Sequence, residues 1–154
     1  MKQCLACINF CHTNNIIHRD LKPENVLLEA NKDFNAIKMI DFGEAIEWKS
    51  KSKITDRVGT AMYVAPEVIA KSYDSKCDIW SLGVMTFILV SGYPPFTGED
   101  DHEILEKVKK GKYDFDDPAW EKVSDECKQF IRQLLTINPE KRPNAEQAIN
   151  HPWI

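Results

Sequence analysis

HRDLKPENV, residues 18–26, sets His18, Arg19, Asp20, Lys22 and Glu24 close together around Pro23, between the β-prone runs Ile16-Ile17 and Val26-Leu27-Leu28. Most charge clusters are solvated loops. This one joins two short apolar runs and spaces a carboxylate and an amide five positions apart, at Asp20 and Asn25. Downstream, Val26–Leu28 and Ile37–Ile40 flank the polar stretch Glu29–Asn35 and read as a β-hairpin. A hairpin lays its second strand beside its first, so Asp41, in DFG just after that strand, is expected back beside Asp20 and Asn25. Carboxylate and amide oxygens are hard ligands that suit Mg²⁺, which is commonly held by one or two carboxylates plus phosphates. Lys22 adds a positive charge able to neutralise a transferring phosphoryl group.

The 154 residues suffice for one domain with a real core. A net charge of −4 and a pI near 5.6 argue against a general nucleic-acid or anionic-membrane binder, which would be basic. The longest apolar run, near Leu82–Val90, is too short to span a bilayer. Met1 opens a mixed polar segment without a signal-peptide apolar stretch, so the expected compartment is cytoplasmic or nuclear. Cys4, Cys7 and Cys11, followed by His12, raise a metal site. Steps of three, four and seven instead put the thiols on one helical face near Ile8, which reads as core. Cys77 and Cys127 complete no CxxC pair.

Met1 to about Cys11 reads as the end of a helix without an N-terminal cap, and His12–Asn15 as a polar turn. Gly43–Gly59 is polar, basic and aperiodic, a long loop of the kind that is functional or disordered. Ser75–Gly92 is apolar all round and predicts a buried central helix, with a capping start at Ser75 and Asp78. Further helices are expected over Asp101–Lys110, over Ser124–Leu135 with Ser124 as cap, and from Asn144 to about Asn150.

HRDLKPEN (18–25), DFG (41–43), GTAMYVAPE (59–67) and DIWSLGV (78–84) resemble, in order and approximate spacing, the C-terminal lobe of eukaryotic Ser/Thr protein kinase catalytic domains. KRP (141–143) and HPWI (151–154) extend the likeness over essentially the whole chain. YDSKCDIWSLGV, SGYPPF and GKYDF look most like the calcium/calmodulin-dependent and calcium-dependent protein kinase group. The resemblance implies a mainly α, protein-kinase-like C-lobe over 1–154, with a short β-hairpin carrying the catalytic loop and DFG, the N-lobe absent, and an activation segment over 41–67.

The implied roles follow residue by residue. Asp20 matches the catalytic base, Lys22 the lysine that steadies the γ-phosphoryl of ATP, and Asn25 and Asp41 the Mg²⁺ ligands; Lys22, Asn25 and Asp41 thus form the cofactor-binding set. Thr60 resembles the residue that bonds the base and the lysine in Ser/Thr enzymes. Glu67 resembles a carboxylate paired with Arg142. Asp78 resembles an anchor of the catalytic-loop backbone, although a first-turn acid three after Ser75 also serves a helix start. His18, Phe42 and Trp80 match packing positions. Arg19 matches an arginine that pairs with an activation-loop phosphate; Asp56 stands where that phosphate would, with Thr55 as the rival phosphosite. A fixed carboxylate does part of a phosphate's work, with less charge and fewer acceptor oxygens, so the expectation is that loop phosphorylation is dispensable in the full-length enzyme. Glu24 implies a protein or peptide substrate with upstream Arg or Lys; Glu99, Asp100 and Asp101 add negative charge after YPPF, but by themselves read as a solvated helix start.

The chain has no glycine-rich phosphate loop, no strand lysine before the catalytic loop and no EF-hand pattern. The expectation is half a kinase domain, catalytically inert alone, with apolar surface bare where the missing N-lobe would sit. Any calcium-sensing regulator lies outside these residues, and no nucleic-acid or membrane partner is expected. The alternative is a non-catalytic kinase-like docking module.

Overall fold

The computed structural model describes residues 1–29 and 36–154. Helix α3 (Lys76–Ser91) is the pillar: eleven of its residues, from Cys77 to Phe87, are buried. Around it stand α1 (Lys2–Thr13), α2 (Pro66–Ile69), α4 (Asp101–Lys110), α5 (Asp125–Leu134) and α6 (Ala145–Ile149). The amphipathic stripe Cys127, Phe130, Ile131 and Leu134 faces α5 into the core. α5 lies so close to α3 that a Cβ on Gly83 would sit 2.8 Å from Leu134 Cβ, so only glycine fits. Each fully buried Leu, Ile or Phe here contributes about 1.5–3 kcal/mol. None of the described helices is long and apolar enough to cross a membrane.

The strands are short. β2 (Val26–Leu28) and β3 (Ile37–Met39) pair antiparallel in the register Val26↔Met39, Leu27↔Lys38, Leu28↔Ile37. The tip of this hairpin, residues 30–35 of the expected turn Glu29–Asn35, lies outside the described residues. β1 (Ile16–Ile17) pairs with β4 (Ile46–Glu47). β4 corrects the reading of 43–59 as loop throughout, as does an antiparallel bridge between Ile54 and Tyr73. Neither contact has a local signal, because each exists only through a distant partner.

Two helix ends also differ from expectation. α1 runs on through Thr13, so His12 is helical rather than part of a turn; Asn14 Nδ2 caps the end by donating to Phe10 O at 2.8 Å. Ser75 precedes α3 but its side chain caps nothing. Asp74 Oδ1 takes the Lys76 amide instead, at 3.0 Å. The caps at Ser124 and Asn144 are present, the latter with a reciprocal bond from the Asn144 amide to Gln147 Oε1. Cys4, Ile8 and Cys11 are buried, while Cys7 is partly exposed.

Candidate active site

The loop after β1 is held from below by α3. Asp78 Oδ2 accepts the His18 amide at 3.0 Å, and Oδ1 accepts the Arg19 amide at 2.9 Å. The carboxylate thus fixes two adjacent peptide groups while standing in the first turn of α3, so the loop contact and the helix-start position hold together. The hold matters because Arg19 has φ +70°, a left-handed conformation that costs a non-glycine residue energy. His18 is fully buried. Its Nδ1 accepts the Asp20 amide at 3.3 Å, which leaves the proton on Nε2 to donate to Ile40 O at 3.2 Å. His18 is therefore packing and cross-link together.

Asp20 projects from this anchored loop into a triangle of polar atoms. Its Oδ1 accepts Thr60 Oγ1 at 2.8 Å and the Thr60 amide at 3.1 Å. Lys22 Nζ donates to Asp20 Oδ2 at 2.8 Å and to Thr60 Oγ1 at 3.1 Å. Burial pushes the Asp20 carboxyl up, but the hydrogen bonds from Lys22 and Thr60 outweigh it and hold the group below its ordinary value. The same bond raises Lys22, helped by the charges of Glu24 and Asp41. Both groups are charged at neutral pH. Gly59 lets Thr60 approach: at φ +96°, a Cβ there would lie 2.8 Å from Arg19 O.

Asn25 is buried, and its Nδ2 donates to Asp20 O at 2.8 Å. With the nitrogen so committed, the amide oxygen is the atom free to ligate a cation. Asn25 O accepts the Ile40 amide at 3.0 Å, which ties the end of the hairpin to the loop bearing Asp20, one residue before Asp41. Asp41 is exposed at φ +61°, with Oδ1 accepting the Gly43 amide at 3.3 Å. Among the described residues no three His, Cys, Asp or Glu side chains converge as a metal cage. One carboxylate and one amide oxygen fit a Mg²⁺ that takes its other ligands from phosphate and water. Glu24 is exposed on the same loop, near enough to raise both Lys22 and the Tyr63 phenol.

The segment from Asp41 to Glu67 is pinned at several points. Arg19 Nε donates to Glu44 O at 2.5 Å and Nη1 to the buried Tyr73 hydroxyl at 3.1 Å. Asp56 Oδ2 stands 3.7 Å from Arg19 Nη1, with its side chain 72% exposed. Lys53 Nζ bonds Asp74 at 2.5 Å and reaches Glu140 at 3.8 Å. At the far end Glu67 and Arg142 form a buried bidentate pair. Arg142 also donates to the carbonyls of Lys76, Thr136 and Ile137 and lies 5.1 Å over the Trp80 ring. Lys53 lies in none of the motifs that carry the resemblance, and Tyr73 opens YDSKCDIWSLGV with no role assigned to it; only the folded chain brings them to Asp74 and Arg19.

Phe42 corrects the packing expectation in part: its ring lies 4.8 Å from His18, yet it is 44% exposed. Its outer side joins Phe10, Ile37 and Met39 along an open apolar groove of about 720 Å³. Glu99, Asp100 and Asp101 form a solvated helix start, where Asp100 Oδ1 caps α4 through the Glu103 amide at 2.8 Å.

The sequence matches the family described as protein kinase domain over residues 1–154. It is 48% identical over 155 residues to calcium-dependent protein kinase 4 of Plasmodium berghei (strain Anka), covering 100% of this chain and 29% of that protein. Calcium-dependent protein kinase 3 of Plasmodium yoelii yoelii is 49% identical over 158 residues, covering 99% of this chain and 29% of that protein. The chain thus spans under a third of the length of these curated relatives.

Proposed function

The chain belongs to the protein kinase domain family, and from that membership we propose that it is the C-terminal lobe of a Ser/Thr protein kinase, holding the catalytic base, the metal ligands and the peptide platform. The observation that carries this reading is the Asp20–Lys22–Thr60 triangle. An ionised carboxylate oriented by a lysine and a threonine is suited to align a serine or threonine hydroxyl and take its proton. Lys22 then offsets charge on the transferring phosphoryl group. ATP supplies that group, and Mg²⁺ held by Asn25 and Asp41 neutralises its charge. Residues 41–67 act as the activation segment, with Glu24 placed to prefer substrates carrying upstream Arg or Lys.

These residues lack a glycine-rich loop and a strand lysine to clamp the nucleotide. Positioning dominates phosphoryl transfer, so the 154 residues alone are inert. The apolar groove along α1 and β3 is the face an N-lobe covers. Calcium dependence, which the relatives' names carry, resides with a regulator outside these residues, and the protein works in the cytoplasm or nucleus. The test joins the chain to an N-terminal lobe bearing both missing elements and measures phosphotransfer to a serine peptide with upstream arginine. The joined protein turns over and the chain alone does not; Asp20→Asn lowers kcat of the joined protein by about 10²–10⁴. Turnover by the chain alone, or an Asp20→Asn protein as fast as the parent, defeats the proposal.

A further inference from the structure

WKSKSKI, residues 48–54, sets Ser52 between Lys51 and Lys53, and all three are exposed. The two lysines tie the segment down on either side of that serine. Lys51 Nζ donates to Asn15 Oδ1 at 2.7 Å and lies 4.5 Å over the Trp48 ring. Lys53 Nζ donates to Asp74 Oδ2 at 2.5 Å. Trp48 Nε1 donates to Ser52 O at 2.7 Å, and the Ser52 hydroxyl meets that of Ser50 at 2.7 Å. Among the described residues, positions 49–53 make no backbone–backbone hydrogen bond. Such bonds resume at Ile54, whose amide donates to Tyr73 O at 2.9 Å and whose carbonyl accepts the Tyr73 amide at 3.2 Å. Side chains therefore hold this stretch, and the lysines carry the charge.

From this arrangement we propose that Ser52 is a phosphoacceptor for a second, active copy of this kinase, and that its phosphate frees the middle of the segment by drawing Lys53 off Asp74. The acceptor half rests on the kinase reading; the release stands on the ties alone. Lys49 and Lys51, three and one residues before Ser52, are the upstream basic residues that Glu24 is placed to favour. Ser50 has Glu47 three before it instead. Thr55 follows directly on the Ile54–Tyr73 bridge, where the backbone is fixed. In the transfer, Asp20 of the phosphorylating copy takes the Ser52 hydroxyl proton. The Ser52 oxygen bonds the γ-phosphorus of ATP as the bond from that phosphorus to the β,γ-bridging oxygen breaks, and ADP leaves.

The added phosphate carries about −1.5 to −2 charges at neutral pH and three acceptor oxygens, next in sequence to both ammonium groups. Lys51 exchanges a neutral amide acceptor for an ionic one. Lys53 exchanges a carboxylate for a group of greater charge. Asp74 keeps the Lys76 amide at 3.0 Å when Lys53 leaves, and with Glu140 it repels the phosphate. The Ile54–Tyr73 bridge, next to Lys53, then opens more often. Tyr73 is the residue whose hydroxyl accepts from Arg19. A phosphate on Ser52 thus slackens the segment, the opposite of a phosphate paired with Arg19.

The experiment has two arms. In the first, the joined kinase and ATP act on the 154-residue chain carrying Asp20→Asn, and the phosphorylated residues are mapped by mass spectrometry. Ser52 is the main site, and Ser52→Ala in the substrate chain removes most of the incorporated phosphate. A joined kinase that phosphorylates the serine peptide but leaves Ser52 unmodified, or prefers Ser50 or Thr55, overturns the proposal. The second arm needs no catalysis. Phosphoserine is placed at position 52 during expression, and hydrogen exchange of individual amides is compared with the parent, Ser52→Ala and Lys53→Gln. The phosphate lowers protection of the Ile54 and Tyr73 amides about tenfold, the effect of losing a bond to a charged group, while the Phe130 and Ile131 amides of α5 hold. Lys53→Gln lowers protection as much without a phosphate, and a phosphate added to that variant changes little further. Ser52→Ala stays with the parent. Unchanged protection of Ile54 and Tyr73, a loss spread equally over α5, or an equal further loss on phosphorylating Lys53→Gln overturns the release. If the joined protein is inactive on every substrate, the kinase reading fails alone, and the amide protection still decides the release.

Discussion

Glu67–Arg142 and Arg19–Asp56 are both arginine–carboxylate pairs, and they hold the C-terminal end and the middle of the same segment in different ways. The Arg142 side chain is fully buried, and its guanidinium meets both oxygens of a carboxylate that is 7% exposed. Its remaining donors reach three backbone carbonyls. Arg19 spends its donors on Glu44 O and the Tyr73 hydroxyl, and Asp56 stands outside hydrogen-bond range in solvent. A buried planar fork with every donor engaged is a permanent tie. An exposed carboxylate at 3.7 Å competes with water and salt. The C-terminal end of the segment is thus built in, and its middle is adjustable.

The widest gap between the two pairs comes from removing one partner. Arg142→Ala leaves the Glu67 carboxylate buried without its counter-charge and orphans three carbonyl bonds, at about 3–5 kcal/mol. Urea unfolding of the variant against the parent measures it. A loss under about 1 kcal/mol would mean that the buried pair is no firmer than an exposed one, and the contrast would collapse. Arg142→Lys retains the charge but not the fork, and it recovers only part of the loss.

Acid sharpens the comparison at a third contact, the Lys53–Asp74 bond that ties the middle of the segment to the start of α3. Burial raises Asp74, but bonds from Lys53 and the Lys76 amide outweigh it and hold the carboxyl below its ordinary 3.8. A depressed folded pKa adds stability above the unfolded value, which disappears as pH falls through the folded one. The stability difference between parent and Asp74→Asn therefore narrows as pH drops from about 5 toward 2. Unfolding curves taken stepwise across that window read it directly. A difference that stays constant with pH removes the charged contribution of this contact. Asp20 is depressed for the same kind of reason, so the parent's own acid limb contains both groups.

What was legible in the sequence follows the same division between local and distant. Asp20, Lys22 and Asn25 lie within six residues, and the hairpin explains the return of Asp41, so their grouping could be read from spacing alone. Glu67 and Arg142 are 75 apart, and their pairing was visible only through family resemblance. His12, Lys53 and Tyr73 were missed because their partners are contributed by packing. His12 sits 66 residues from Asp78, and an apparently polar turn concealed its helix. β4 is two residues long and owes its strand geometry to β1. Ser75 and Asp78 had the spacing of a capping start, yet the loop above α3 claimed Asp78 for its own amides.

The smallest expected effect concerns Asp56, and it decides what keeps the segment ordered without a phosphate. Asp56→Asn removes one charge from an exposed position and leaves the Arg19 bonds to Glu44 O and Tyr73 untouched. The loss of stability is at most about 1 kcal/mol, the range of exposed ion pairs. In the joined kinase, activity falls by less than about fivefold, since 1 kcal/mol is worth no more than that in a rate. Thr55 is exposed and makes none of these contacts, so Thr55→Ala leaves activity near that of the parent. A severe loss from Thr55→Ala at unchanged stability would show that a phosphate is needed after all. A severe loss from Asp56→Asn alone would make its carboxylate, at 3.7 Å and in solvent, the stand-in for that phosphate. If both are mild, the order of the segment rests on Tyr73, Glu44 and the Lys53 tie, which hold Arg19 and its loop whether or not anything negative is added.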